Sequence, residues 1–333
     1  MIEALPDVLA LDLAAKADEL ARGLRAAVVQ RLRRRGIVVA VSGGIDSACV
    51  LALSVRALGP DRVLALLLPE RESSPESLEL GRALCERFGV RYEVRDITAM
   101  LEAAGCYAAR EHAVQSVFPE FAPDMPWKIV TGGDPLDGDA LHFFQLVVRD
   151  RAGAERSFRL PPTAFQEIVA ATNFKQRVRK MLEYYHADRL RYAVAGTPNR
   201  LEYDQGFFVK LGDGAADVKP IATLYKSQVY ALARHLGVND EILARPPTTD
   251  TFSLAQSQED FFYSVDYRTL DLVLWAKNHG IAAAAIAAQL GIDADQVTRI
   301  CDDIDQKRRT TAYLHAAPLL LEPIDELPGL PGD

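Results

Sequence analysis

The most constraining feature of this chain is an abrupt change of pattern between residues 37 and 58. An unbroken apolar run, Ile37 to Val41, gives way to Ser42-Gly43-Gly44-Ile45-Asp46-Ser47 and then to helical spacing from Ile45 to Leu58. Strand, glycine turn and helix in that order form a ready anion site. The first N–H groups of a helix have no partner within it, and glycines let a phosphate approach without a Cβ in the way. The same rhythm then repeats. Val63 to Leu68 reads as a buried strand, Pro75 to Phe88 as a helix and Val90 to Val94 as a third strand. This alternation predicts an α/β fold with a doubly wound parallel sheet and helices on both faces.

Around that block the pattern is less regular. Residues 1–35 carry Leu9, Leu13, Leu20, Leu24, Val28 and Leu32 at helical spacing, which predicts an N-terminal helix from Pro6 to Arg35. Residues 36–312 read as one domain, interrupted at about 105–162 by an irregular stretch rich in Pro and Gly. Within it, Leu141 to Arg149 and Arg156 to Leu160 flank the turn residues Ala152-Gly153 and are expected to pair as a hairpin, making an inserted lobe. Helical spacing resumes from Thr163 to His186, a short strand is expected at Tyr192 to Ala195, and late helices at Leu224–Leu236, Tyr267–His279 and Ile281–Gln306. The segment around Gly291 has a helix-turn-helix outline, but Asp293, Asp295, Asp302 and Asp303 would repel DNA from its second helix. Residues 313–333 form a Pro-containing tail.

Composition narrows the function classes. With 333 residues, 49% of them apolar, the chain can bury a continuous core. A formal charge of −8 argues against a nucleic-acid backbone as partner. The four cysteines, Cys49, Cys85, Cys106 and Cys301, are too scattered for a zinc cluster or a disulfide framework. There is no apolar run of membrane-spanning length and no secretory start, so no membrane partner is expected and the cytoplasm is the expected compartment.

The glycine turn lacks the Gly-Lys-Ser/Thr of one common phosphate loop and the spaced glycines of the dinucleotide type. In place of a lysine it offers Asp46, a carboxylate suited to magnesium. As a whole string it resembles the loop of the ATP pyrophosphatase superfamily, which implies an adenine nucleotide alpha hydrolase-like fold. Further motifs resemble one family within it, the NAD synthetases. They are Ala195 to Glu202, Phe208 to Asp217, Lys219-Pro220-Ile221 with Leu224-Tyr225-Lys226, Asn173 to Arg179 upstream, and Arg245-Pro246-Pro247-Thr248 and Gln256 to Glu259 downstream. The resemblance covers residues 36 to 100 and 165 to 312 and, with no amidase segment before the loop, implies the ammonia-dependent type, using free ammonia or glutamine through a separate partner.

Carried over residue by residue, the resemblance implies that Ser42, Gly43, Gly44, Asp46, Ser47, Thr197, Lys226 and Thr248 bind ATP. It implies that Asp46 and Glu202 hold Mg2+, and that Asn173, Arg177, Lys210, Asp217 and Lys307 contact deamido-NAD. Asp46, Asp213 and Lys226 are the expected catalytic groups, with Asp213 beside the attacking ammonia, and a homodimer is implied. Each has an ordinary structural account when taken alone: Gly212-Asp213-Gly214 is a common turn, Glu202 a helix acid, Thr248 a cap. Their joint occurrence in order favours the functional reading. Two alternatives stay open: the same adenylation and amidation on another small carboxylate, and a tRNA-modifying enzyme with the same loop.

Overall fold

The computed structural model describes residues 8–132, 143–246, 252–254, 262 and 265–322. Helix α1 (Leu13–Arg25) starts later than Pro6 because the Asp12 carboxylate accepts the Ala15 N–H at 3.0 Å and so caps it there. It runs on into a π-helical segment, Ala26–Arg31, and the chain then turns through Arg33 in the left-handed region (φ 52°). In chain order follow β1 (Ile37–Ala40), α2 (Ile45–Leu58), β2 (Val63–Leu67), α3 (Pro75–Arg87), β3 (Arg91–Val94), α4 (Thr98–Ala103) and α5 (Cys106–Gln115). Next are β4 (Trp127–Gly132), β5 (Phe143–Arg149), β6 (Glu155–Arg159), α6 (Pro162–Leu190) and β7 (Ala193–Val194). The remaining elements among the described residues are helices: α7 (Arg200–Gln205), α8 (Lys226–His235), α9 (Asp240–Ala244), α10 (Tyr267–Asn278), α11 (Ala283–Leu290) and α12 (Ala294–His315).

The central sheet is parallel with strand order β3-β2-β1-β7. Because side chains alternate across a strand, its residues serve two cores. Ile37, Val39, Val63, Ala65 and Leu67 face α1, α2 and α8, while Val38, Leu64, Leu66 and Val194 face α4, α5 and α6. Burial on both faces explains the continuous apolar runs in the sequence. The chain steps outward from β1 to β3 and returns to the other side of β1 as β7. This reversal opens a crevice beyond the carboxyl ends of β1 and β7, the usual binding place in such sheets.

The stretch from about 105 to 162 holds more order than its composition suggests. Its first part is α5, whose Cys106 and Tyr107 are buried against the central sheet. Its second is an antiparallel sheet of order β4-β5-β6, so the expected hairpin gains a third strand, β4, that sequence pattern did not reveal. Trp127, Ile129, Leu146 and Val148 from this sheet pack on Phe118, Phe121 and the start of α6 to form a core of their own. At the other end, Gly291 (φ 70°) separates α11 from α12, and α12 continues past Gln306 to His315, beyond the expected boundary at 312. Among the described residues no helix is long and apolar enough to cross a membrane.

Candidate functional site

The loop after β1 is built by its serines and by one glycine. Ser47 Oγ accepts the Ser42 N–H (3.2 Å) and donates to Gly44 O (2.9 Å), while Ser42 Oγ accepts the Gly44 N–H (3.3 Å). Gly43 has φ 78°, and a Cβ there would stand 2.4 Å from Ser77 O at the start of α3, so no other residue fits this turn. The result is a rigid loop leading into the α2 N-terminus, with Ser42, Gly44, Asp46 and Ser47 on the wall of a cavity of about 890 Å³.

The segment after β7 closes the opposite side. Asn199 caps α7, its Oδ1 accepting from Leu201 N (2.9 Å) and Glu202 N (3.2 Å), while its own N–H donates to Glu202 Oε2 (3.1 Å). The same side chain reaches across the crevice: Asn199 Nδ2 donates to Asp46 Oδ1 at 3.0 Å. Asn199, 1% exposed, therefore joins two carboxylates that lie far apart in sequence. Burial and the Asp46 charge push Glu202 up to about 8. Two acids forced together beside an anion-type loop are the oxygen set that Mg2+ takes with phosphate and water, so these residues fit that ion.

Lys226, at the start of α8 and 1% exposed, donates Nζ to Asp46 Oδ2. Burial works against its charge, but Asp46 and Glu202 outweigh this and hold the ammonium firmly protonated. It stands behind Asp46, off the cavity wall. Sequence reasoning missed its support: buried Asp271 on α10 accepts the N–H groups of Lys226 (3.1 Å) and Ser227 (2.8 Å). The available signal was an acid inside the apolar run Leu270-Asp271-Leu272-Val273-Leu274.

The charged floor comes from α6 and the loop after α7. Asp213 lines the cavity, its Oδ1 accepting the Val209 N–H (2.8 Å), and burial raises its carboxyl above the ordinary value. Lys180 and Glu183, paired at 2.7 Å on α6, face the same space. Leu211, between Lys210 and Asp213, takes a left-handed backbone (φ 62°), a strained turn of the kind that collects at functional loops. Asn173, Arg177, Lys210, Thr197 and Lys307 also line the cavity. Arg177 Nε donates to Lys210 O (3.3 Å), and Lys210 Nζ holds Tyr313 O (2.7 Å) and Ala316 O (3.1 Å) at the end of α12. Lys307 pairs with Asp303 at 2.7 Å and donates to Phe262 O at 2.6 Å.

Asp217 stands apart. It does not line the cavity; its Oδ2 accepts the Val194 N–H at 2.7 Å, bracing the end of β7. Thr248 and residues 256–259 lie outside the described residues. A buried ionic network unassigned from sequence underlies the β2 side. Lys175 on α6 donates to Glu70 (2.8 Å) and Glu72 (2.5 Å), Tyr107 donates to Glu70 (2.7 Å) and Arg110 to Glu72 (2.6 Å). It ties the chain after β2 to α5 and α6.

This geometry accompanies clear likenesses. An NH(3)-dependent NAD(+) synthetase of Rhizobium meliloti is 52% identical over 321 residues, covering 96% of each chain. Among solved structures, an NMN synthetase of Francisella tularensis superposes with a TM-score of 0.65 at 22% identity, covering 93% of this chain and 99% of that one. An NH3-dependent NAD synthetase of Campylobacter jejuni does so with a TM-score of 0.61 at 21% identity, covering 94% and 100%; both share the fold. The profile of the NAD synthase family matches residues 17–117 and 152–311, and the chain belongs to that family.

Proposed function

We propose that this chain is an ammonia-dependent NAD synthetase: an ATP-dependent ligase that joins ammonia to the carboxylate of deamido-NAD, releasing AMP and pyrophosphate. The observation that carries the reading is the Asp46–Asn199–Glu202 bridge beside the glycine loop. The 52% identity to a curated NH(3)-dependent NAD(+) synthetase supports the same substrates.

In this reading ATP phosphates lie on the Ser42–Ser47 loop, with Thr197 at the opposite lip. Mg2+, held by Asp46 and Glu202, would neutralise phosphate charge. The substrate carboxylate oxygen attacks the α-phosphate and the bond to pyrophosphate breaks, giving the acyl adenylate. Lys226, positioned through Asp46 and Asp271, supplies positive charge where the leaving group develops negative charge. Ammonia then adds to the acyl carbon and AMP departs. Asp213 retains the ammonium ion and takes its proton, since only neutral ammonia is a nucleophile. Asn173, Arg177, Lys210 and Lys307, which line the same cavity, bind the dinucleotide in this reading, as the family resemblance implies. Asp217 is retained as a deamido-NAD contact on the family resemblance, and its carboxylate also braces the end of β7. Thr248 is retained as an ATP contact on the family resemblance.

The exposed side chains of Phe174, Met181 and Tyr185 on α6, together with Leu211, offer an apolar face next to the site that supports a homodimer. The free cysteines among the described residues and the lack of a spanning helix there support a cytoplasmic setting. The decisive experiment is turnover with deamido-NAD, MgATP and ammonium, followed by pyrophosphate and NAD release. No turnover in protein that still binds ATP would remove deamido-NAD as the substrate.

A further inference from the structure

Two charges that neither the metal site nor the phosphate loop uses are buried on the cavity wall. Lys180 and Glu183 on α6 are 5% and 3% exposed and pair at 2.7 Å. With Gln176 they recur at i, i+4 and i+7, which puts all three on one face of the helix. The loop that bears Asp213 packs there: a Cβ on Gly212 would stand 2.8 Å from Gln176 Cβ, and Arg177 Nε donates to Lys210 O at 3.3 Å. Asp213 therefore lies against the stretch of α6 that carries Lys180 and Glu183, within the field of Lys180, Arg179 and Lys219. A buried ion pair of this kind adds little stability, since apolar residues of similar volume do as well.

The proton count of amidation gives the pair a task. An ammonium ion that becomes an amide nitrogen sheds two protons: one to free its lone pair for attack, and one from the tetrahedral adduct as the bond to AMP breaks. A single carboxylate holds one. We propose that Glu183 empties Asp213 between these two events, so that the two carboxylates, with Lys180 holding Glu183 in place, take up both protons. The proposal rests on the reading that Asp213 receives ammonium in an ammonia-dependent NAD synthetase. Ammonium gives its first proton to Asp213, and the freed ammonia forms the C–N bond. Asp213 passes that proton to Glu183. The adduct nitrogen then gives its second proton to the Asp213 carboxylate while the C–O bond breaks and AMP leaves with the electron pair. Both carboxyls return their protons to water through the cavity that they line. Glu183 touches no reacting atom and works only through Asp213. Burial, with the Asp213 charge adding to it, raises the Glu183 carboxyl in spite of Lys180, which suits it to hold a proton that an ordinary glutamate would shed.

The test uses the full chain and three readouts: ATP–pyrophosphate exchange with deamido-NAD, which stops at the adenylate; the single-turnover rate of amidation; and KM for ammonium. Glu183→Gln keeps the shape of the side chain and its hydrogen bond from Lys180 but accepts no proton. It is expected to slow amidation about 100-fold, the lower end of what a positioned proton acceptor contributes, with exchange and KM for ammonium unchanged. Glu183→Asp keeps a carboxylate and should recover most of that loss, whereas a role in packing alone would be served better by glutamine than by the shorter acid. Lys180→Met combined with Glu183→Leu replaces the pair by apolar groups of similar volume, so the fold should hold. This double variant should lose as much amidation as Glu183→Gln, and it carries the test if the single variant does not fold. Wild-type amidation in Glu183→Gln or in the double variant overturns the inference, as does amidation by Glu183→Asp no faster than by Glu183→Gln, or an equal loss in exchange. No exchange with deamido-NAD in the wild-type chain would instead overturn the reading of function beneath it.

Discussion

Replacing Asn199 with serine separates the two jobs this residue performs. Serine caps a helix as well as asparagine does, so Leu201 N and Glu202 N keep an acceptor and α7 stays anchored. What serine cannot do is span the crevice to Asp46 Oδ1, which Asn199 Nδ2 reaches at 3.0 Å. A hydrogen bond to a charged group contributes about 1.5–3 kcal/mol, and loss of a group that orients metal ligands typically costs about 10–100-fold in metal affinity. Against a total stability of about 5–15 kcal/mol, the variant should remain folded. The expected result is a Mg2+ activation curve displaced to about 10–100-fold higher concentration, with kcat largely recovered at saturating Mg2+. Asn199→Ala should show the same displacement plus about 1 kcal/mol of lost stability from the missing cap. Activity titrated against Mg2+, paired with thermal unfolding of each variant, reads both effects. Wild-type Mg2+ dependence in the Asn199→Ser variant would refute the claim that Asn199 sets the spacing of the two carboxylates.

Three further outcomes are expected. Asp46→Asn should abolish most turnover and also lower thermal stability by roughly 1–3 kcal/mol, because it removes the charge that the buried Lys226 ammonium pairs with. Wild-type melting would show that the Asp46–Lys226 pair contributes nothing. Gly43→Ala should cost about 1–3 kcal/mol in backbone strain alone and push the loop off Ser77, seen as weaker pyrophosphate inhibition. With free ammonia held constant, kcat/KM for ammonia should fall on the acid side with a midpoint above the usual aspartate range, since burial raises the Asp213 carboxyl and its ionised form is the proton acceptor. The activity is present above that midpoint and lost as pH falls through it. Asp213→Asn should remove this limb and slow amidation more than adenylate formation, as measured by pyrophosphate exchange; equal losses in both steps would count against the role.

Much of the site was legible because its parts are local. The run from Ile37 to Leu58 dictates strand, turn and helix through nearest-neighbour preferences, and each motif after β7 keeps its residues within a few positions of one another. The hairpin at Phe143–Arg149 and Glu155–Arg159 was readable for the same reason, through its alternation and its turn. Contacts between segments were not. Strand β4, the Lys175 network and the support of Lys226 by Asp271 each join elements distant along the chain. Asp217 shows the difference most plainly: the motif resemblance implies a substrate contact, and only the fold reveals that its carboxylate also accepts the Val194 N–H.

Sequence by itself determined the phosphate-type loop and the alternating strand and helix pattern, since short-range sterics and apolar spacing suffice for these, and its motifs named half of the charged groups that line the cavity. Only the tertiary structure decided which of those groups meet. The return of the chain to β7, on the far side of β1, brings Glu202 to Asp46 and buries Lys226 behind them, and no local preference encodes that strand order.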